Sequence, residues 1–293
     1  SYTEKTRAVI KVQDGCNQFC TYCIIPYARG RIRSRKIESV IEEVKKIAEK
    51  GIKEVVITGI HIASYGKDFD NNIGLIDLLE EINKVDGIQR IRIGSLEPKI
   101  ITEEFMQRLI KLPKICHHFH LSLQSGCDET LRRMNRKYNT LEFEEIVNRL
   151  RKYYSDVILT TDIIVGFPGE SQEEFDCTYK FLEKIKFYKM HVFPYSPRPG
   201  TVAEKMPKQV QGDVKESRSK KLIELSNKNQ LEYNQKYIDK DVEVLFEEKD
   251  ESGYYKGHTQ NYILVEYKSS ENLENKIKVV KIKEADIEHV IAI

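Results

Sequence analysis

The chain has 293 residues, 40% of them hydrophobic, with 48 Lys and Arg against 46 Asp and Glu for a formal net charge of +2. This is too long for one small module and suits a large α/β domain with an appendage. Nothing at the start resembles a signal peptide, no apolar run approaches the roughly 18 residues of a membrane span, and the six cysteines lack the spacing of a disulfide framework. No membrane association and a reducing, cytoplasmic setting are therefore expected. The balanced total hides an uneven distribution: residues 241–293 hold 7 Lys and Arg against 12 Asp and Glu, and residues 1–240 hold 41 against 34.

In chain order, a short apolar strand is predicted at residues 8–12. Directly after it come Gly15 and residues 16–23, which read CNQFCTYC. The three thiols of Cys16, Cys20 and Cys23 have no fourth cysteine nearby. A structural zinc site closes with four ligands, and a plain electron-transfer 4Fe-4S cluster takes four cysteines. Three leave one iron open to bind something else. The competing reading is a zinc ion completed by a distant ligand such as His61 or Cys116. Cys116, Cys127 and Cys177 are scattered and read as small buried hydrophobes. Residues 29–36 then hold five basic residues. Such runs are commonly solvated faces, but this one adjoins the cysteine loop, where guanidinium groups would meet a phosphate backbone.

Farther on, apolar, β-branched runs at residues 54–60, 88–93, 117–123, 157–165 and 189–193 predict strands. Segments at 37–50, 75–85, 102–112, 141–154 and 172–187 carry helical spacing, the first with Ile37, Val40, Ile41, Val44 and Ile47 on one face. Six strands separated by helices predict parallel βα units, an α/β sheet curved into a partial barrel. In such folds ligands bind at the carboxyl ends of the strands. The cysteine loop follows the first strand, and residues 58–59, 94–97, 124–126, 166–169 and 194–196 end the other five, so six signals converge on one face. After Thr201 the pattern stops. A long polar helix is predicted at 214–237, with Leu222, Ile223, Leu225 and Leu231 as its apolar contacts. Alternating runs at 242–247, 253–259, 262–267, 276–282 and 288–293 predict a small β-barrel. Two domains are expected, residues 2–233 and 234–293.

The run QDGCNQFCTYCIIPYARGRIRSR at 13–35, QSG at 124–126, LRRMNR at 131–136, TDIIVGFPGE at 161–170 and YSPRPGT at 195–201 fall in the order found in one family. With them the chain resembles the methylthiotransferase branch of the radical S-adenosylmethionine (SAM) enzymes. The resemblance implies an open (β/α)6 radical SAM barrel and a 4Fe-4S cluster held by Cys16, Cys20 and Cys23. Its open iron would chelate the amine and carboxylate of SAM, and one-electron reduction would yield a 5'-deoxyadenosyl radical. Tyr22 would lie near adenine or shield the cluster, against an ordinary loop aromatic. Gly59 would admit the methionyl amine because no Cβ intrudes, against a plain turn glycine. Ser95 and Glu97 would take the ribose hydroxyls or the ammonium and Arg136 the methionyl carboxylate, against surface charge or a helix cap. Arg31, Arg33 and Arg35 would contact substrate RNA. No residue is assigned to acid or base catalysis.

The C-terminal barrel resembles the TRAM domain, an RNA-binding barrel of the oligonucleotide-binding type. Its acidic balance would repel a polyanion, so RNA would need a local patch at Tyr254, Tyr255, Lys256 and His258. Full-length members of the family carry an N-terminal domain with three further cysteines for a second, sulfur-supplying 4Fe-4S cluster. This chain opens at Ser1, close to the first strand, so a fragment incompetent for the full reaction is expected. Residues 22–35 and residues 59–66, GIHIASYG, look most like members that methylthiolate N6-threonylcarbamoyladenosine at position 37, in the anticodon loop of tRNA. The alternatives are isopentenyladenosine-37, a ribosomal protein, or a non-catalytic RNA-binding protein with a zinc site. An electron donor such as flavodoxin or ferredoxin is implied.

Overall fold

Strict alternation buries Ala8, Ile10 and Val12 completely and makes a strand of the segment before the cysteine loop. The computed structural model describes residues 2–3 and 6–293. A two-residue strand β1 (Tyr2–Thr3) runs antiparallel to β2 (Arg7–Asp14), and β3 (Arg33–Ser34) pairs antiparallel with the far end of β2. β4 (Glu54–Gly59) and β5 (Arg90–Ile93) extend the sheet in parallel. A second parallel group contains β6 (His118–Gln124), β7 (Ile158–Val165) and β8 (Lys189–Pro194). Single bridges, Ile91 to Ile115 and Leu96 to Leu121, join the groups. Six parallel strands thus form one curved, open barrel wall.

Helices α1 (Ile25–Arg29), α2 (Ile37–Glu49), α3 (Leu75–Asn83), α4 (Glu103–Leu109), α5 (Asp128–Arg133), α6 (Thr140–Tyr153) and α7 (Gln172–Ile185) cover the outside. The expected apolar face of α2 buries Val40, Val44 and Ile47. Asn139 opens α6 with a capping box to Glu142, and Ser171 caps α7. The short α5 was absent from the expected elements because six residues carry too little periodicity to show.

The long helix α8 (Gly212–Gln235) docks on β8, and its buried face is largely polar: Arg218, Ser226, Asn229, Gln230 and Asn234 join Leu222 and Leu225. Ser226 Oγ accepts the amide of Met190 at 2.9 Å, Asn229 donates to Phe187 O at 3.1 Å, and Arg218 pairs with Glu170 at 2.7 Å. Those bonds give Ser226, Asn229 and Arg218 Nη1 their partners and cover the β8 edge. Ile223, expected among the contacts, is 45% exposed, because docking rotates the helix toward its amide-bearing side.

β9 (Asp241–Lys249), β10 (Tyr254–Thr259), β11 (Leu264–Lys268), β12 (Ile277–Ala285) and β13 (Val290–Ala292) close in the order β10-β11-β13-β12-β9. Val244, Phe246, Val265, Val280, Ile282 and Val290 fill this barrel. It seals the amino-terminal mouth of the larger wall, opposite the cysteine loop. Arg7 binds Glu54 at 2.9 Å and Glu247 at 2.9 Å, Arg92 binds Glu54 at 2.7 Å, and Arg90 donates to His258 O at 2.8 Å. Tyr262 stacks between His118 and His258, with ring centroids 4.8 and 4.5 Å away, under the Arg92 guanidinium. The expected RNA patch is therefore corrected. Tyr255 is buried in the barrel core, His258 belongs to the seal, and Lys256 pairs with Glu266 at 3.4 Å. Tyr254 keeps its ring outside the barrel core, beneath Lys268.

Candidate active site

The loop between β2 and α1 is shaped before any cysteine is reached. Gly15 has φ +73, and a Cβ on it would stand 1.9 Å from Arg31 O, so only glycine lets the chain turn here. Cys16 N then bonds to Gly30 O at 3.1 Å. The middle of the loop is tied across the barrel top: Thr21 N to Met134 O at 3.1 Å, Thr21 Oγ1 to Arg133 O at 2.8 Å, and Asn135 Nδ2 to Phe19 O at 2.9 Å. Ala203 N reaches Thr21 O at 2.8 Å from the other side. Residues 131–136 thus form one flank that holds the cysteine loop, and Ala203, just past the 195–201 block, supplies the other.

Cys16, Cys20 and Cys23 are all free and partly exposed. Cys116 is fully buried at the sealed mouth beside Arg92, at the other end of the wall from the loop, and cannot complete a zinc site there; His61 Nδ1 meets Ser64 Oγ at 2.6 Å. Three thiols with no fourth cysteine beside them fit the donor set of a 4Fe-4S cluster with one open iron. Of the other cysteines, Cys127 is buried, while Cys177 is exposed, contrary to expectation.

Arg136 is the cation at the centre of the site. It donates to Cys20 Sγ at 3.3 Å, to Glu97 Oε2 at 2.7 Å, to Ser122 O at 3.0 Å and to Tyr138 Oη at 2.9 Å. Burial pushes the Glu97 carboxyl up, with Arg136 opposing it. Burial also raises the Cys16 and Cys23 thiols above the usual range. Tyr22 packs edge-on against Phe167 at 6.3 Å, in a small cluster with Met134, Tyr195 and Ala203 beneath the loop. Ser95 is exposed at the end of β5.

Gly59 acquires a different reason from the one expected. A Cβ there would meet Ile62 Cγ2 at 2.7 Å and Gln13 O at 2.9 Å, so the missing side chain admits the protein itself. Gln13, missed from sequence, is the residue so admitted. It is 1% exposed, donates to Gly15 O at 2.7 Å and accepts from His61 N at 2.8 Å, stitching the cysteine loop to the loop after β4. Its signal was an amide within an apolar strand. Burial, then Lys67 and Arg136, lower the His61 imidazole to about 4, and its Nε2 is buried without a partner.

The basic run divides. Arg31 is exposed. Arg33 is exposed but folds back onto Arg29 O at 2.9 Å and Arg31 O at 3.1 Å. Arg35, expected to meet RNA, instead binds Glu43 at 2.6 Å and Ser39 Oγ at 3.1 Å, fastening the start of α2. No helix among the described residues is long and apolar enough to cross a membrane.

A family model described as the radical SAM superfamily matches residues 10–182. The chain is 43% identical over 290 residues to the threonylcarbamoyladenosine tRNA methylthiotransferase MtaB of Bacillus subtilis (strain 168), covering 97% of this chain and 64% of that protein. It is 44% identical over 280 residues to the tRNA-2-methylthio-N(6)-dimethylallyladenosine synthase of Thermoanaerobacter sp. (strain X514), covering 95% and 59%. The chain thus spans about three fifths of the length of these curated relatives. Among solved structures, the radical SAM methyltransferase TsrM from Kitasatospora setae superposes with a TM-score of 0.57 at 19% identity, over 67% of this chain and 36% of that one. Coproporphyrinogen III oxidase HemN from Escherichia coli gives 0.56 at 17% identity, over 78% and 54%. These two likenesses are of fold.

Proposed function

The chain belongs to the radical SAM superfamily, and on that premise we propose that it is the catalytic core of a methylthiotransferase acting on N6-threonylcarbamoyladenosine at position 37 of tRNA. The observation that carries this reading is the cysteine loop: three partly exposed thiols, with Arg136 on Cys20 and no fourth cysteine beside them. The relatives named above support the methylthiotransferase class, and the wording of residues 59–66 supports the threonylcarbamoyl substrate.

A 4Fe-4S cluster supplies, when bound, the electron that splits the sulfonium of SAM and so furnishes a 5'-deoxyadenosyl radical. Cys16, Cys20 and Cys23 would hold three of its irons as thiolates. Because burial raises the Cys16 and Cys23 thiols, both are protonated at neutral pH in the free protein, and ligation releases their protons. The Arg136 guanidinium donates to Cys20 Sγ and lies in one ion pair with Glu97. A cation and a carboxylate side by side match the carboxylate and ammonium of a methionyl group. Tyr22 closes the underside of the loop against water. Arg29 and Arg31 stand exposed next to this mouth, where a polyanionic tRNA would approach. A one-electron donor of the flavodoxin or ferredoxin type completes the reading.

Anaerobically reconstituted protein should contain four irons and cleave SAM to 5'-deoxyadenosine, and Cys20→Ala should abolish both. One zinc and no iron would end the radical reading. For the substrate, the chain extended upstream with a three-cysteine domain to the length of its relatives should be expressed in a strain whose tRNA lacks 2-methylthio groups, and the tRNA nucleosides examined by mass spectrometry. 2-Methylthio-N6-threonylcarbamoyladenosine supports the proposal. The dimethylallyl analogue would move the chain to the other group of relatives.

A further inference from the structure

Inside the barrel wall, below the cysteine loop and above the Tyr262 seal, three consecutive parallel strands present one residue each to the same point. His120 on β6, Asp162 on β7 and His191 on β8 bring a ring nitrogen, a carboxylate oxygen and a second ring nitrogen within 4.8 Å of one another. The strand register explains the convergence. Asp162 lies directly across from His191, and His120 lies across from Thr160, two residues back on the strand that carries Asp162. Side chains two apart share a face, so all three project into the lumen while Phe119, Leu121 and Ile163 are buried on the other side.

The arrangement has a supporting group as well as converging donors. His120 Nδ1 is 2.9 Å from Thr160 Oγ1, which also meets His118 Nε2 at 3.0 Å. That bond orients the His120 ring and turns Nε2 toward Asp162 Oδ2, 3.1 Å away. A metal-bound histidine donates its other ring N–H to an acceptor behind it, and the Thr160 hydroxyl oxygen can accept that bond from His120 Nδ1. The His191 ring, its centroid 5.7 Å from that of His120, is exposed to the lumen, so the third side remains open. None of the three residues takes part in holding the cysteine loop.

We propose that His120, Asp162 and His191 form a binding site for a divalent transition-metal ion of the zinc class, separate from the cysteine loop. Two imidazoles and one carboxylate suit zinc, cobalt, nickel or ferrous iron rather than magnesium or calcium, which take oxygen ligands. Three protein ligands leave a coordination position facing the lumen. That position takes water or an oxygen donor of a bound substrate. The ion would carry two positive charges against the one carboxylate, giving the lumen a net positive centre at that depth.

The test uses anaerobically reconstituted, cluster-bearing protein stripped of loose metal with a chelator. Zn²⁺ is titrated in by calorimetry, and zinc and iron per chain are then measured by elemental analysis. The expected result is one zinc beside four irons in the parent protein. Zinc affinity should fall at least roughly 100-fold in His191→Ala and in Asp162→Asn, and about 10- to 100-fold in Thr160→Val, which leaves every ligand in place. Far-ultraviolet circular dichroism and unchanged iron content certify that each variant folds. His191→Ala is the most secure variant because its ring is exposed. No zinc uptake by the parent would overturn the proposal and leave His120 and Asp162 as a plain hydrogen-bonded pair. Undiminished uptake in both His191→Ala and Asp162→Asn would overturn it too, by placing the ion elsewhere.

Discussion

Arg136 donates to the sulfur of Cys20 at 3.3 Å, joining the loop after β2 to the segment that follows α5. The bond brings a buried cation, 8% exposed, against one ligand of the proposed cluster. Hydrogen bonds to cluster sulfurs, and nearby charge, raise its reduction potential. Arg136→Ala should therefore lower that potential and slow SAM cleavage by roughly 10- to 100-fold, the equivalent of about 1.5–3 kcal/mol for a charge-assisted bond. Potentiometry followed by electron paramagnetic resonance checks the first effect. An unchanged potential would assign Arg136 to Glu97 and Tyr138 alone.

Gly15 and Gly30 share φ +73 but have different surroundings. A Cβ on Gly15 meets Arg31 O at 1.9 Å, whereas one on Gly30 finds Arg33 Nη1 at 3.5 Å. Gly15→Ala should cut iron content after reconstitution severely. Gly30→Ala, at φ 73 and ψ −159 where glycine is strongly favoured, should cost only the conformational strain, about 1–3 kcal/mol, and keep its iron. Equal iron in the two variants would show that the loop relaxes freely.

The basic run predicts an asymmetric salt response. Arg31→Ala should flatten the log-log dependence of tRNA affinity on salt by about 0.7 to 0.9, one phosphate contact. Arg35→Ala should leave that slope alone, because its guanidinium is held by Glu43 and Ser39, and should lower thermal stability instead. Filter binding across a salt series separates the two.

Glu54 is fully buried at the sealed mouth between Arg7 and Arg92. Burial alone would raise its carboxyl, but the two guanidinium groups prevail and hold it at about 2, against an ordinary 4.5. A carboxyl depressed in the folded state contributes stability that is fully present above pH about 4.5 and is lost as pH falls from there toward 2. The shift corresponds to about 3 kcal/mol. Glu54→Gln should remove this acid-sensitive component and cost about 3–5 kcal/mol at neutral pH by leaving two buried cations without their anion. Urea unfolding at several pH values reads both.

The βα alternation, the place of the cysteine loop and the closure of residues 241–293 into a barrel were legible because period-2 and helical patterns are local, and because CxxxCxxC has few chemical uses. The polar docking face of α8 was not, since Ser226 and Asn229 look solvent-facing until β8 and residue 187 supply their partners. The same holds for the basic run, where counting charges could not tell Arg31 from Arg35.

By itself the sequence determined which residues carry the chemistry: three thiols, the glycine that lets them turn, and the strand ends that bring loops to one mouth. Tertiary structure alone decided what those residues face. It put Gln13 in the space left by Gly59, buried Tyr255 in the barrel core and stacked His258 on Tyr262, and gathered His120, Asp162 and His191 across 72 positions of chain. The physical reason is range: turn geometry and periodicity act over a few residues, whereas burial, ion pairing and metal-ligand convergence depend on strands that neighbour each other only after folding.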